Sequence, residues 1–423
     1  IHCSIAADPT DTNIVYIGGD RQPASNEGTN TGAQFPNSLG AANYSGRLFR
    51  GNASLAPASR WTSITHSGAA NNSSPHADSR GMAFDAGGEL IEADDGAVYK
   101  RSSPRSSAGA WSSLVGSLQV TEFQGIAFDG LSNRVIGGAQ DTGTTAQIDL
   151  VSKTFVSISQ GDGGDPVVDD ISSATLSSRY TGLSGFAAYR RETYNAANVF
   201  QSVTFPPFTP TGGAPAIGGQ SYTPIVVNKV NGLRLLIAGN NGLYESLDQG
   251  SSVARLSTIT VNDSSGDPME YGVPGNAGFI FVGAGSSVYL RTANSGAPTL
   301  VNTLGGEVLD VAVDPAAPTR LFALTNNTVS FSNNSGGTFT DITGNLFNFQ
   351  AEAGRYRSMV YVPRASGDAL IVATDRGVYY ALASSGFSTW QLLGTGFPNV
   401  PVWELAYHAG RDVLIAGTLG RGA

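Results

Sequence analysis

The chain has 423 residues, a formal net charge of −9 and a single cysteine, Cys3. Its only lysines are Lys100, Lys153 and Lys229, so it lacks the clustered cations that neutralise nucleic-acid phosphates or bind anionic membranes. One thiol excludes an internal disulfide framework or a cysteine-ligated metal, and no apolar run reaches the ~18 residues of a membrane-spanning helix.

Gly, Ser, Thr, Asn and Ala dominate, and short apolar runs alternate with turn residues without sustained helical periodicity, which predicts an all-β chain with little helix. In chain order, apolar runs end in an acid or its substitute at Ala6-Ala7-Asp8, Ala83-Phe84-Asp85, Ala127-Phe128-Asp129, Val167-Val168-Asp169 and Val226-Val227-Asn228. The series continues at Val273-Pro274, Val311-Ala312-Val313-Asp314, Val362-Pro363 and Leu405-Ala406-Tyr407-His408. Most are followed by a turn and a second strand, as in Ile14-Val15-Tyr16-Ile17-Gly18-Gly19 and Val413-Leu414-Ile415-Ala416-Gly417. The period of roughly 40 to 60 residues is that of four-stranded propeller blades. The pattern gives eight full units and a ninth that stops after two strands. It predicts a single β-propeller domain over residues 1–423, of eight blades within a range of seven to nine, and a polar insertion at about 22–45 in the first blade. The chain opens almost inside a strand and ends straight after another, which reads as a processed piece of a longer, exported precursor.

Two polar turns recur after paired strands: Ser246-Leu247-Asp248-Gln249-Gly250-Ser251-Ser252-Val253 and Ser332-Asn333-Asn334-Ser335-Gly336-Gly337-Thr338-Phe339. Their spacing resembles the Asp-box of bacterial-neuraminidase-type repeats, Ser-x-Asp-x-Gly-x-Thr-Trp, with Asn334 and Phe339 as substitutes in one copy and the aromatic missing in the other. These turns join the third and fourth strands of a blade. Their Asp or Asn and Ser or Thr side chains are expected to bond to the turn's own backbone, with the aromatic packing between sheets.

The other end of each blade collects the unusual polar groups. Pro75-His76-Ala77-Asp78-Ser79-Arg80 offers an imidazole, a carboxylate and a guanidinium within one loop, suited to acid–base chemistry or anion binding or simply to ordering that loop. Gln140-Asp141 and Asp375-Arg376 occupy turns between second and third strands, and Asp162, Asp165, Arg355, Arg357 and Glu404 lie near the starts of inner strands. Asp78, Asp141, Asp162 and Glu404 are the candidate catalytic acids, and His76, Arg80, Gln140, Asp165, Arg355, Arg357 and Arg376 the candidate binding residues. Gly161-Asp162-Gly163-Gly164-Asp165 with Asp169-Asp170 offers oxygen ligands to calcium without the alternation of an EF-hand, so turn formation is the competing reading. The runs Phe205-Pro206-Pro207-Phe208 and Trp403-Glu404, with Tyr189, Tyr194 and Tyr222, offer candidate sugar-stacking rings, with packing between blades as the competing reading.

The segments His76–Asp85, Gly138-Ala139-Gln140-Asp141-Thr142-Gly143-Thr144 and Gly161-Asp162-Gly163-Gly164 resemble those of secreted bacterial Asp-box propellers, in a superfamily that includes sialidases, xyloglucan-cleaving endoglucanases and the sortilin ectodomain. The resemblance implies an extracellular or cell-surface propeller. It transfers no catalytic residue: the sialidase Arg-Ile-Pro segment has only Arg47-Leu48-Phe49-Arg50 as a counterpart, and the endoglucanase site needs two propellers. The resulting expectation is a binding module for a glycan or cell-surface component, with an Asp-box glycoside hydrolase or a structural module of a larger surface assembly as alternatives. Neighbouring domains or subunits are expected partners, and nucleic acid and membrane insertion are not.

Overall fold

Every acid-terminated apolar run becomes the first strand of an antiparallel sheet. The computed structural model describes residues 2–29, 31–149, 151–262 and 266–423. Among them are nine sheets, built as meanders in chain order. The first runs Ser4–Ala7, Ile14–Arg21, Gly46–Asn52 and Trp61–Ser63, and the third runs Gly125–Asp129, Arg134–Ala139, Gly143–Gln147 and Phe155–Ser157. The fifth gains a short parallel outer strand, Thr209–Pro210, beside Ser252–Ser257. The ninth holds only Val402–His408 and Val413–Thr418. The eight complete repeats and the two-strand ninth are therefore present, and helix is minor: Leu346–Ala353 is the one α-helix described. No helix among the described residues is long and apolar enough to cross a membrane.

The chain gathers into two compact units, Ile1–Gln119 with the first two sheets and Val120–Ala423 with the other seven. In the second unit, inner strands pack in succession from Gly125–Asp129 to Val402–His408, and Val402–His408 packs back on Gly125–Asp129, closing a cycle of seven sheets. The closure is hydrogen-bonded, with Phe123 N–H donating to the Thr418 carbonyl and Gly422 N–H to that of Thr121. Buried apolar clusters lie between successive sheets, such as Phe322, Tyr361, Phe387 and Trp390. In the first unit, residues 22–45 connect the second and third strands of the first sheet. The buried Gln22 amide donates to the Gly46 carbonyl and Thr65 Oγ1 there.

The strand-ending acids explain the repeat. In each, one side-chain oxygen accepts backbone N–H groups of the following turn. Asp8 takes Thr10 and Asp11, Asp85 takes Gly87 and Glu89, Asp129 takes Leu131 and Ser132, Asp169 takes Ile171 and Ser172, and Asn228 takes Val230 and Asn231. Such Asx turns compensate backbone donors that the ladder leaves unpaired. The second polar atom often reaches the next sheet. Asp8 pairs with Arg105, Asn228 Nδ2 donates to the Ala277 carbonyl, and Asp129 Oδ2 accepts from Ser177 Oγ (2.6 Å) and both Nε and Nη2 of Arg179 (2.9 and 2.7 Å).

The two polar turns close on themselves. Ser332 Oγ donates to Asn334 Oδ1 and accepts from Gly336 N–H, Asn334 Oδ1 accepts from Thr338 N–H, and Phe339 packs against the core. Ser246 and Asp248 repeat this with Gly250 and Ser252.

Asp129 and Arg179 are both essentially inaccessible. Burial alone would raise the Asp129 carboxyl, but the Ser177 hydrogen bond, the Arg179 charge and the turn amides hold it below the usual range. Asp129→Ala strands a buried guanidinium and is expected to cost about 3–5 kcal/mol in urea unfolding of the second unit. A loss below ~1 kcal/mol would show that the pair does not tie the sheets together.

Candidate functional site

At the end of each sheet opposite the acid-closed turns, three successive inner strands of the second unit are interrupted by β-bulges. The register slips between Val308 and Asp310, between Tyr356 and Ser358, and between Val402 and Glu404. A bulge inserts one unpaired residue and re-aims its neighbours. The residues just after the slips form a relay from sheet to sheet. Asp310 Oδ2 accepts from Met359 N–H (2.6 Å) and Ser358 Oγ (2.8 Å), Ser358 Oγ accepts from Leu405 N–H (3.1 Å), and Glu404 Oε2 accepts from Ile126 N–H (2.7 Å). Glu404 thus bonds across the junction that closes the cycle.

Glu404 meets two more carboxylates there. Oxygens of Asp165, Asp267 and Glu404 all lie within 4.8 Å of one another. Asp165-Pro166 and Asp267-Pro268 each stand directly before an inner strand, Val167–Asp169 and Met269–Val273. Proline there supplies no ladder donor and holds the preceding residue extended. The space is tight: a side chain at Gly125 would come within 2.3 Å of Asp165 Oδ1. Glu404 keeps partial contact with solvent by surface area, but the density of protein around its carboxyl governs its ionisation. Burial, then the negative charge of Asp267 and Asp310, raises it well above the usual range, against the Ile126 hydrogen bond. Asp310 is raised likewise, burial outweighing its three donors.

Beside this cluster, the inserted residues of two bulges meet. The Arg357 guanidinium lies over the Trp403 ring, 5.0 Å from its centroid. Asp375, in the turn between the second and third strands of the same sheet as Arg357, accepts from Arg357 Nε (2.7 Å) and from Arg355 N–H (3.0 Å). Aromatic face, fixed guanidinium and the Asp375 carboxylate thus stand together, on strands that also carry Glu404.

The anticipated residues therefore have different fates. Asp165 and Glu404 come together with Asp267, which sequence reasoning passed over although its Asp-Pro context repeats that of Asp165. Arg355 and Arg357 are ordered by Asp375, and Arg376 is exposed with its N–H donating to Thr374 Oγ1. Asp162 accepts Asp141 N–H (3.0 Å), and Gly163 N–H donates to the Ala139 carbonyl, so the glycine-rich segment braces the turn containing the exposed Gln140. Asp141 itself adopts φ +62°.

In the first unit, Arg80 grips Asp95 with two hydrogen bonds (2.5 and 2.8 Å), Asp78 lies 3.1 Å from His2 Nδ1, and the His76 ring faces the Ala77 carbonyl. The unforeseen group is Glu92, wholly buried in Leu90–Ala93. Neither of its carboxyl oxygens, nor Asp94 Oδ2, has an aligned hydrogen-bond partner among the described residues. Burial pushes Glu92 up to about 8, with Asp94 adding negative charge against the help of Ser79. Burial also raises Asp94, opposed by the Ala97 and Gly96 amides and by His76.

No protein-family profile matches the chain. No curated protein matches it either. Solved structures do resemble it. A GH74 enzyme of Niastella koreensis aligns with 99% of this chain and 58% of its own length, at a TM-score of 0.57 and 15% identity. The GH74 xyloglucanase of Xanthomonas campestris aligns over the same shares, at 0.56 and 13%. The chain thus spans less than two thirds of these enzymes, and at such identity the likeness defines the fold: an all-β protein of propeller-type four-stranded sheets.

The fold binds a proton at Glu92 up to about pH 8, whereas the unfolded chain releases it in the ordinary carboxylate range. Stability associated with this group is therefore full at acidic pH and is lost as pH rises toward 8. Glu92→Gln, which keeps the shape of the protonated acid, is expected to flatten the fall in melting temperature between about pH 5 and 8 followed by calorimetry. An unchanged slope would mean that Glu92 titrates normally.

Proposed function

We propose that the chain is an extracellular or cell-surface β-propeller module that binds a glycan through the end of the second unit bearing Trp403, Arg357, Asp375 and the carboxylates Asp165, Asp267 and Glu404. The arrangement of Arg357 over Trp403 next to Glu404 carries this reading. Sugars present apolar C–H faces and a rim of hydroxyls, and they are held by a flat aromatic ring with oriented charged acceptors and donors around it. The fold likeness to a GH74 xyloglucanase favours a β-glucan-type polysaccharide over an acidic one, as does the negative charge at this end.

A second reading is glycoside hydrolysis at the same place. Two observations favour it: the carboxylate oxygens lie within 4.8 Å of one another, near the about 5 Å separation of a retaining pair, and burial raises the Glu404 carboxyl well above the usual range, as a general acid's is raised.

Incubation of the chain with xyloglucan, other β-glucans, sialosides and acidic polysaccharides separates the readings, with retention measured by affinity electrophoresis and products by mass spectrometry. Retention on a neutral β-glucan without product release is expected, and Trp403→Ala is expected to weaken it about tenfold, in line with the ~1–1.5 kcal/mol of a lost aromatic contact. Release of oligosaccharides that disappears in Glu404→Gln would establish the hydrolase. Neither retention nor release would leave a structural module of a surface assembly.

A further inference from the structure

We propose that the outer edge of the fourth sheet, strand Phe200–Thr204, is a docking surface for the same edge of a second copy of this chain, the two strands pairing antiparallel about a two-fold axis. The fourth sheet runs Val167–Asp169, Leu176–Leu183, Ala187–Asn195 and Phe200–Thr204, and the last strand has a neighbour on one side only. Its free side carries a row of backbone donors and acceptors that no strand among the described residues meets. Native proteins keep such edges short, charged or covered, because an open one pairs with other extended chains.

The other outer strands of the second unit follow that rule. Phe155–Ser157 and Trp390–Leu392 have three residues and Thr340–Asp341 has two. Ser252–Ser257 is covered by Thr209–Pro210. Thr299–Thr303 is as long as Phe200–Thr204, but Leu300 is its one exposed large apolar residue, and its Asn302 donates to the Gly336 and Gly337 carbonyls of the next sheet. In Phe200–Thr204 all five residues are exposed. Val199, Phe200, Val203 and Phe205 are 53, 48, 41 and 68% exposed. A bulge places Phe200 opposite Tyr194 and Val203 opposite Glu192, so the two apolar side chains share one face although they are three residues apart. That face is turned to the third sheet, because Tyr194 on it lies against the Arg179 guanidinium (3.8 Å) that binds Asp129. There the exposed Val156 extends the apolar surface, since register through Ala146 and Ile136 puts it on the Asp129 face.

Charge selects the occupant. The chain carries −9, which opposes the approach of two copies except where neither presents charge. No charged residue stands between Glu192 and Lys229, in a chain whose residues are 13% charged. A different partner for an acidic protein would ordinarily be matched to it in charge, and this surface offers neither sign. An antiparallel edge is complementary to itself, since the two-fold axis sets the N–H groups of each copy against the C=O groups of the other. The contact uses none of Trp403, Arg357, Asp375 or the three clustered carboxylates, so dimerisation and glycan binding can fail independently.

Sedimentation velocity on the full chain, from nanomolar to tens of micromolar, tests the contact. We expect a reversible species of twice the 43.6 kDa chain mass, which added salt strengthens because it screens the like net charges without breaking an ion pair. Val203→Lys puts a cation into each edge and should weaken the dimer at least about tenfold. Leu300→Lys, the same charge change on the outer strand of equal length, should leave it unchanged. Both sites are exposed, so both variants should keep the parent melting temperature. Backbone amides of residues 199–205 should exchange more slowly in the dimer than in the monomer. A chain that stays monomeric at every concentration would overturn the proposal, whether the edge is bare or serves a different protein. So would a dimer undiminished by Val203→Lys, or one whose amide protection lies elsewhere.

Discussion

The fold depends on one small device, an Asp or Asn at the end of an inner strand that closes its own turn with one oxygen and reaches the next sheet with its other polar atom. Asp129 shows the arrangement in full, with Leu131 and Ser132 amides on Oδ1 and Ser177 and Arg179 on Oδ2. Successive sheets share no continuous hydrogen-bonded ladder, so each junction needs its own fastening. Elsewhere the fastening is apolar, or an ion pair such as Glu245 with Arg291 of the following sheet (2.5 Å).

That device also divides the labour between the two ends of each sheet. The polar Ser246 and Ser332 turns pack beside the acid-closed turns: Gln249 N–H donates to the Leu233 carbonyl and Ser335 N–H to that of Thr319. That end is satisfied internally, with its acids committed to turn amides and arginines. At the other end the bulges at Leu309, Arg357 and Trp403 break the ladder, and the carboxylates there face one another. Burial, more than hydrogen bonding, sets the ionisation of Glu404 and Asp310 there, which is the condition under which carboxyl groups acquire binding or acid–base roles. Glu92 of the first unit shows that burial of this kind also arises inside a single strand.

Much of this was legible in the residues. The inner strands, their terminal acids, the number of sheets and the self-closing turns follow from a local rule, since a turn's hydrogen bonds lie within about four residues of one another. Asp165 and Glu404 were visible as acids near the starts of inner strands. Their meeting with Asp267 was not, because it joins positions up to 239 residues apart (404 − 165) and depends on how a cycle of seven sheets closes. The Asp-Pro dipeptides before two inner strands were the available signal. The bulges were hidden for a related reason: Arg357 and Trp403 read as ordinary strand residues until the register with the neighbouring strand is known. Glu92 could have been flagged as a lone acid between Ile91 and Ala93, although its lack of partners depends on packing.

The most direct test of the account is hydrogen–deuterium exchange on the full chain with and without a saturating retained glycan. If the bulged end of the second unit is the binding surface, ligand protection concentrates in peptides covering 162–167, 355–358, 375–377 and 402–405. Protection confined to 246–252 and 332–339, at the end closed by its own acids, would contradict the assignment of function to the bulged end.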